Sequence, residues 1–359
     1  MSFTKRFFLV LLLIVAGALV YLLIAPVPIN PAAWTPPAAP ALAGQYEKNN
    51  RLAPTERLPL GDGHGPEDVA LAGDSKIYAG FDDGRIMQLQ ADGTKPQVFA
   101  NTEGRPLGLI FDANDNLIIA DAVKGLLQID QSGKISTLVD QVNGVRFGCL
   151  NDLDVGKDGT IYFTEASNKF PMTQFTEDLI EHQPNGRLLA FDPKTHQTRT
   201  LLPEIHFANG VAVSPDQNSV LVNETGMYRV LRYWLRGEKA GKSEVFIDNL
   251  PGFPDGISSN GKDKYWLSLV TPRDSFFDRI LPHPFLRKMV MRLPKFLRPA
   301  PQRYSFVLGL SVDGRVIDNL QNGAPGCYAE IANTVERNGS LYFGSIAENS
   351  VGRFKLKLK

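Results

Sequence analysis

The sequence predicts a six-bladed β-propeller, an all-β fold, carried on one N-terminal transmembrane helix. Three observations lead there. A unit of short apolar strands separated by Asp-, Asn- and Gly-rich turns recurs six times after Pro66. No long helical period runs through that region. A charge-free apolar run, Phe7 to Ala25, opens the chain. The overall balance fits a globular protein. The chain has 359 residues, 43% of them hydrophobic, with 38 basic and 38 acidic side chains. Zero net charge argues against a nucleic-acid partner, which would need a basic surplus to neutralise phosphates.

The apolar run comes first. Its 19 residues span about 28 Å as a helix, close to the hydrocarbon thickness of a bilayer. It reads as an uncleaved signal anchor. A cleaved signal peptide is the alternative, but the small residues Ala16-Gly17-Ala18 lie inside the run and do not follow it. Lys5 and Arg6 precede the run and the next charge is Glu47. The short N-terminus is therefore expected in the cytoplasm, with the rest on the non-cytoplasmic (periplasmic or lumenal/extracellular) side. Six prolines between Pro26 and Pro40 follow, interleaved with alanine, and predict an extended stalk. This divides the chain into an anchor (1–25), a linker (26–44) and a propeller (45–359).

Taking Glu67, Pro106, Asn151, Asn209, Asp255 and Glu330 as equivalent starts gives spacings of 39, 45, 58, 46 and 75 residues. Repeats of that length with three or four strands are the mark of propeller blades. The long spacings locate insertions in blade three, around 170–185, and in blade five, around 273–304. The last unit holds only about three strands, so its outer strand is expected from Arg57–Leu60, which would close the ring and remove a free edge. The blade-five insertion, 273–303, holds eight Lys/Arg against two Asp, interleaved with Phe, Leu, Ile and Met. It reads either as an amphipathic lid or membrane-resting patch, or as a surface helix pair over the propeller top. Its prolines rule out one long helix. Cys149 and Cys327 are expected as free buried thiols.

Inner strands of a propeller begin at the mouth of the central channel. Of the first five starts, Glu67, Asn151, Asn209 and Asp255 carry side-chain oxygen. Two carboxylates and two amides suit a hard cation such as Ca²⁺, whose charge the carboxylates offset. Turn formation is the bland use of Asn and Asp in such places, but four at equivalent repeat positions favour a metal.

The segments PEDVA, NDLDV, FANGVAVSPD and LPGFPDGI resemble the calcium-dependent six-bladed propellers grouped as SMP-30/gluconolactonase, paraoxonase and strictosidine synthase-like proteins. The anchor, LVNET, RYWL and LPGFPD place the likeness nearest the membrane-anchored strictosidine synthase-like branch, over about residues 50–359. The resemblance implies that Glu67, Asn151, Asn209 and Asp255 ligate one Ca²⁺ in the central channel. It also implies hydrolysis of small lactones, aryl esters or related esters, with Asp255 and Glu67 as the catalytic pair. Asp255 would be a ligand plus general base or nucleophile. A second, structural ion would use Asp68 and Asp152.

Two departures matter. Leu107 stands where paraoxonase-like lactonases carry a His, so that proton shuttle is not transferred. Glu330 approximates the catalytic Glu of strictosidine synthase only after a two-residue shift, and Glu336 competes with it. An amine–aldehyde condensing enzyme and a non-catalytic binding propeller with structural calcium therefore stay open as alternatives. His64 and His206, near the channel mouth, are weaker candidates for proton transfer. Ser345 lacks a nucleophile elbow, and Tyr265 and Trp266 read as core.

Overall fold

The computed structural model describes residues 2–357. Helix α1, Phe3–Ile24, is apolar throughout and buries none of its residues against the rest of the chain. It is long and apolar enough to cross a membrane.

The remainder folds into six four-stranded antiparallel sheets and one small hairpin. The innermost strands are Val69–Leu71, Pro106–Phe111, Cys149–Val155, Ala208–Val213, Gly252–Ser259 and Ile331–Arg337. Each sheet is apolar on both faces because it packs between two neighbours. Ala120 and Leu126 of blade two, for example, meet Leu150, Phe163 and Leu189 of blade three. The core is thus a set of layers between blades, each fully buried Leu or Phe contributing about 1.5–3 kcal/mol. Cys149 and Cys327 are both free and buried, and Tyr265 and Trp266 lie in the core.

The ring closes as the sequence suggests, one residue earlier. Glu56–Pro59 pairs with Ser350–Lys355 as the outer strand of blade six, with Glu56 opposite Arg353 and Pro59 opposite Ser350. The last sheet therefore joins both ends of the propeller sequence, leaving no gap in the circle.

Three helices cap one end of the ring. Helix α2 (Phe175–Glu181) belongs to the blade-three insertion, and α3 (Ser275–Ile280) and α4 (Pro284–Arg292) to the blade-five insertion. Asp274 caps α3 by accepting from the Phe277 N–H at 2.6 Å, and Pro284 opens α4.

The linker is not a free stalk. An extended proline-rich chain makes no internal hydrogen bonds, so its carbonyls are available. The propeller and its insertions take them. Arg273 Nη2 donates to the Pro37 carbonyl at 2.8 Å, Asn249 Nδ2 to Ala38 O at 3.0 Å, and Arg287 to Ala32 O. Ile29 is buried with Phe170, Ile180 and Leu281, and Trp34 stacks on His182 with centroids 4.4 Å apart. Ordered packing onto the propeller thus begins well before residue 45.

Candidate functional site

The inner strands do not run straight past the channel. In blades two to six the ladder to the second strand breaks over a residue or two near its start. Register shifts fall between Pro106 and Gly108, Leu150 and Leu153, Ala208 and Val211, Pro254 and Ile257, and Ile331 and Thr334. In blade one, Glu67 and Asp68 precede the paired stretch, which begins at Val69. Bulges release a residue from the pleat and re-aim its side chain. Around the axis one layer holds Glu67, Leu107, Asn151, Asn209, Asp255 and Ala332. The next residues along the strands, Asp68, Gly108, Asp152, Gly256 and Asn333, make a second layer lining the same cavity.

Two expected positions are corrected by this. The blade-two and blade-six equivalents are Leu107 and Ala332, not Pro106 and Glu330, because the bulge rather than the strand's first residue faces the axis. Glu330 is half-buried near Arg303, Glu348 and His64, and it is not among the residues lining the axial cavity. The four oxygen-bearing candidates do converge. Glu67, Asn151, Asn209 and Asp255 are each 4–6% exposed and together line that cavity of about 10 Å³, room for roughly one water-sized sphere.

Electrostatics distinguish the carboxylates. Burial pushes the Asp255 carboxyl well above its usual range, and the nearby Glu67 charge pushes it further, against a hydrogen bond from Asn209. Burial also raises Glu67, opposed by Arg105. Arg105 donates to Glu67 Oε2 at 3.1 Å and to Gly65 O at 3.0 Å, so it both orients and partly neutralises Glu67.

The second layer holds neighbouring blades together. Asp68 accepts from Val69 N–H at 2.6 Å, Leu109 N–H at 2.7 Å and Asn333 Nδ2 at 2.6 Å. Asp152 accepts from Leu153 and Val211 N–H at 2.8 and 2.9 Å. Asp154, one turn of the pleat further, accepts from Val213 N–H at 2.7 Å. Both oxygens of Asp68 and Oδ2 of Asp152 thus clasp neighbouring blades, while Oδ1 of Asp152 binds its own strand. The glycines allow this approach. A Cβ on Gly210 would lie 2.5 Å from Asp255 O, and one on Gly256 2.5 Å from Asn333 Oδ1.

Sequence reasoning missed the residues that hold the bulges in place. Side chains on or just after the second strand of one blade bind carbonyls at the bulge of the next. Thr164 Oγ1 donates to Asn209 O at 2.7 Å, Asn223 Nδ2 to Asp255 O at 2.5 Å, and Thr225 Oγ1 to Pro254 O at 2.6 Å. Asn223 and Thr225 lie in LVNET, so the motif was visible while its purpose was not. Arg105 likewise carried no signal beyond its place in GRPLG.

Other candidates fall elsewhere. His64 is exposed and 3.5 Å from Asp82 Oδ2. His206 Nδ1 pairs with Glu224 Oε1 at 2.9 Å, and its ring lies 4.7 Å from that of His182, under Trp34. Ser345 Oγ donates to Ala329 O at 2.7 Å in a turn. Glu336 Oε2 accepts from the Trp266 indole at 2.6 Å and lines the opposite end of the channel.

The donor chemistry admits a hard cation. Among the described residues no group of three or more His, Cys, Asp and Glu is placed to hold a metal ion by itself. The axial set therefore depends on its two amides, and all four donors are oxygens. Two carboxylates match a divalent charge, and four ligands leave positions for water or substrate in a six-to-eight-coordinate sphere. The residues fit Ca²⁺.

Comparison with known proteins gives the same grouping. The strictosidine synthase family matches residues 151–238, and the strictosidine synthase-like N-terminal family matches residues 44–89. Strictosidine synthase-like protein 4 of Arabidopsis thaliana is 36% identical over 312 residues, covering 85% of this chain and 83% of that protein. The adipocyte plasma membrane-associated protein of Bos taurus is 33% identical, covering 95% and 87%. Among solved structures, a gluconolactonase from Xanthomonas campestris superposes with a TM-score of 0.62 at 18% identity, covering 92% of this chain and 99% of that one. A calcium-binding regucalcin from Agrobacterium tumefaciens gives 0.59 at 14% identity, covering 85% and 96%. With its six bladed sheets, its apolar N-terminal helix and relatives of this similarity over most of their length, the chain belongs to the strictosidine synthase-like family and is membrane-associated.

Proposed function

We propose that this protein is a calcium-dependent hydrolase of small lactones, aryl esters or related esters, with its propeller on the non-cytoplasmic side of the membrane. One observation carries the reading. Four oxygen-bearing side chains, two of them carboxylates and three of them on bulges, converge on an axial cavity with room for one small ion. When bound, the ion would supply Lewis-acid polarisation of the substrate's carbonyl oxygen.

The chain's own residues do the rest. Glu67, held by Arg105, and Asn151 fix one side of the ring. Asn209 orients the Asp255 carboxylate. At the channel mouth Asp255 takes a proton from the water that adds to the acyl carbon as the C–O bond to the alcohol breaks. Alternatively it attacks that carbon itself, displacing the alcohol and leaving an anhydride that water then cleaves. The apolar residues Leu107, Cys149 and Phe207, with Met172 and Phe175, form a wall beside the ring that keeps bulk water out. Burial and the nearby carboxylates raise the Cys149 thiol, so it stays protonated and is no nucleophile. The gluconolactonase likeness supports the substrate class. Glu330, on which amine–aldehyde condensation would depend, stands apart from the cavity.

The test is hydrolysis of a lactone and aryl-ester panel by the full-length chain in nanodiscs, with Ca²⁺ and after chelation, beside its melting temperature. Turnover that disappears on chelation while the fold persists is expected. A lower melting temperature without turnover on any substrate would leave the ion structural and the propeller a binding module. Turnover indifferent to chelation would also overturn the reading.

A further inference from the structure

The eight basic residues of the blade-five insertion divide into two sets. Five are committed. Arg273 pairs with Asp278 at 2.8 Å, Arg298 with Glu177 at 3.8 Å and Arg303 with Glu348 at 2.5 Å. Arg287, 0% exposed, donates to the carbonyls of Ile180, Glu181 and Ala32. Arg292 donates to Leu22 O at 2.7 Å and Ala25 O at 2.6 Å, capping the C-terminal carbonyls of α1. Arg279, Lys288 and Lys295 have no acidic partner among the described residues.

The apolar residues divide in the opposite sense. Val290 and Met291 pack inward with Phe277, Ile280 and Leu281. Phe276, Phe285, Leu286, Phe296 and Leu297 point outward, Phe296 being 84% exposed. Outside α1, the exposed large apolar residues of the described chain are otherwise isolated valines and one isoleucine, with no Phe or Leu. Helix α4 is therefore inverted for a water-facing helix. Its arginines 287 and 292 are inside, while Phe285 and Leu286 are outside. Such a patch signals a partner.

The position of the patch names the partner. Arg292 holds the end of α1, and Ala18, Tyr21 and Leu22 face Met291, Leu293, Pro294 and Arg298 across a shallow groove. If α1 crosses a bilayer, the membrane surface lies where its apolar run stops, which is beside α4. We propose that α3, α4 and the Lys295–Leu297 turn form a second membrane contact. Phe276, Phe285, Leu286, Phe296 and Leu297 enter the headgroup–acyl boundary of a phospholipid bilayer, while Arg279, Lys288 and Lys295 meet the lipid phosphates. This seats the propeller rigidly, with the ring end of its channel toward the lipid, since Phe253 beside Asp255 packs against the same insertion. The proposal does not rest on the hydrolase reading.

The test places a single environment-sensitive fluorophore on the full-length chain in phospholipid vesicles, through Phe296→Cys, Phe285→Cys or, as a control at the opposite end of the propeller, Lys157→Cys. Both native thiols are buried, so the introduced one takes the label. Phospholipid spin-labelled high on its acyl chain should quench positions 296 and 285 at least about twofold more than position 157. R279E/K288E/K295E, all outside the packed core, should reduce that quenching with the melting temperature unchanged. Equal quenching at all three positions would overturn the proposal. So would signals at 296 and 285 that follow protein concentration instead of lipid, which would make the patch a contact between copies.

Discussion

The two ends of the central channel are built from the same six strands, yet they differ in almost every respect. At the capped end the strands bulge, and their released side chains close on a cavity of about 10 Å³ lined by buried carboxylates and amides. At the other end the strands pair regularly and splay around a basin of about 490 Å³, bordered by residues such as Asp112, Ser259, Glu336 and Arg337. The larger space has the weaker case for chemistry. Its polar groups mostly serve turns or strand ends. Asp112, for instance, accepts from Asn114 and Asn116 N–H at 2.9 and 2.8 Å. Size alone is therefore a poor guide in this fold. Convergence of desolvated donors, which requires leaving the ladder, is the better one.

The largest expected effect tests that contrast directly. Asp255→Asn or Glu67→Gln should lower turnover of the best ester or lactone by about 10³-fold while circular dichroism stays native. Unchanged kcat/KM would erase the distinction between the two ends. Next comes the support of the bulge. Asn223→Ala removes the donor to Asp255 O, and a loss of about 10–100-fold in calcium affinity or turnover is expected, as for an outer residue that orients a ligand. Isothermal titration of Ca²⁺ reads it separately from activity.

A smaller effect concerns the cap over the ring end. His182 is buried between Trp34, His206 and Arg287, and burial holds its pKa down to about 4 from 6.5. The unfolded chain therefore binds a proton that the folded chain does not between those values. His182 contributes stability that is present above pH 6.5 and is lost as pH falls toward 4, by at most about 1.4 kcal/mol per pH unit. Asp178, raised to about 6 by burial, works in the opposite direction between 3.8 and 6. Comparing His182→Phe with the parent chain isolates the histidine. The difference in melting temperature should move in the variant's favour as pH drops below 6.5, and a difference constant with pH would refute it. The smallest effect belongs to the open end. Arg337→Ala loses hydrogen bonds to Leu71 O and Ala72 O at 3.3 and 3.0 Å. It should change stability by no more than about 0.5 kcal/mol, with turnover unaltered.

The sequence determined the blade number, the closing strand to within a residue, the apolar helix of transmembrane length and the four oxygen-bearing side chains that meet at the channel. Each is a local or repeating pattern, and repetition lets the positions check one another. Which residues complete the ring was a tertiary decision. Pro106 and Glu330 matched as strand starts, but Leu107 and Ala332 face the axis, because bulges form where six strands crowd together and no local propensity marks them. The linker was legible as extended but not as docked, since its binding partners Arg273 and Arg287 lie more than 200 residues away. The insertion's charge was equally plain, but its division was not. A count of eight basic residues cannot separate arginines that bind backbone carbonyls inside the cap from those left facing outward. Burial alone makes that separation, and burial exists only once the chain has closed on itself.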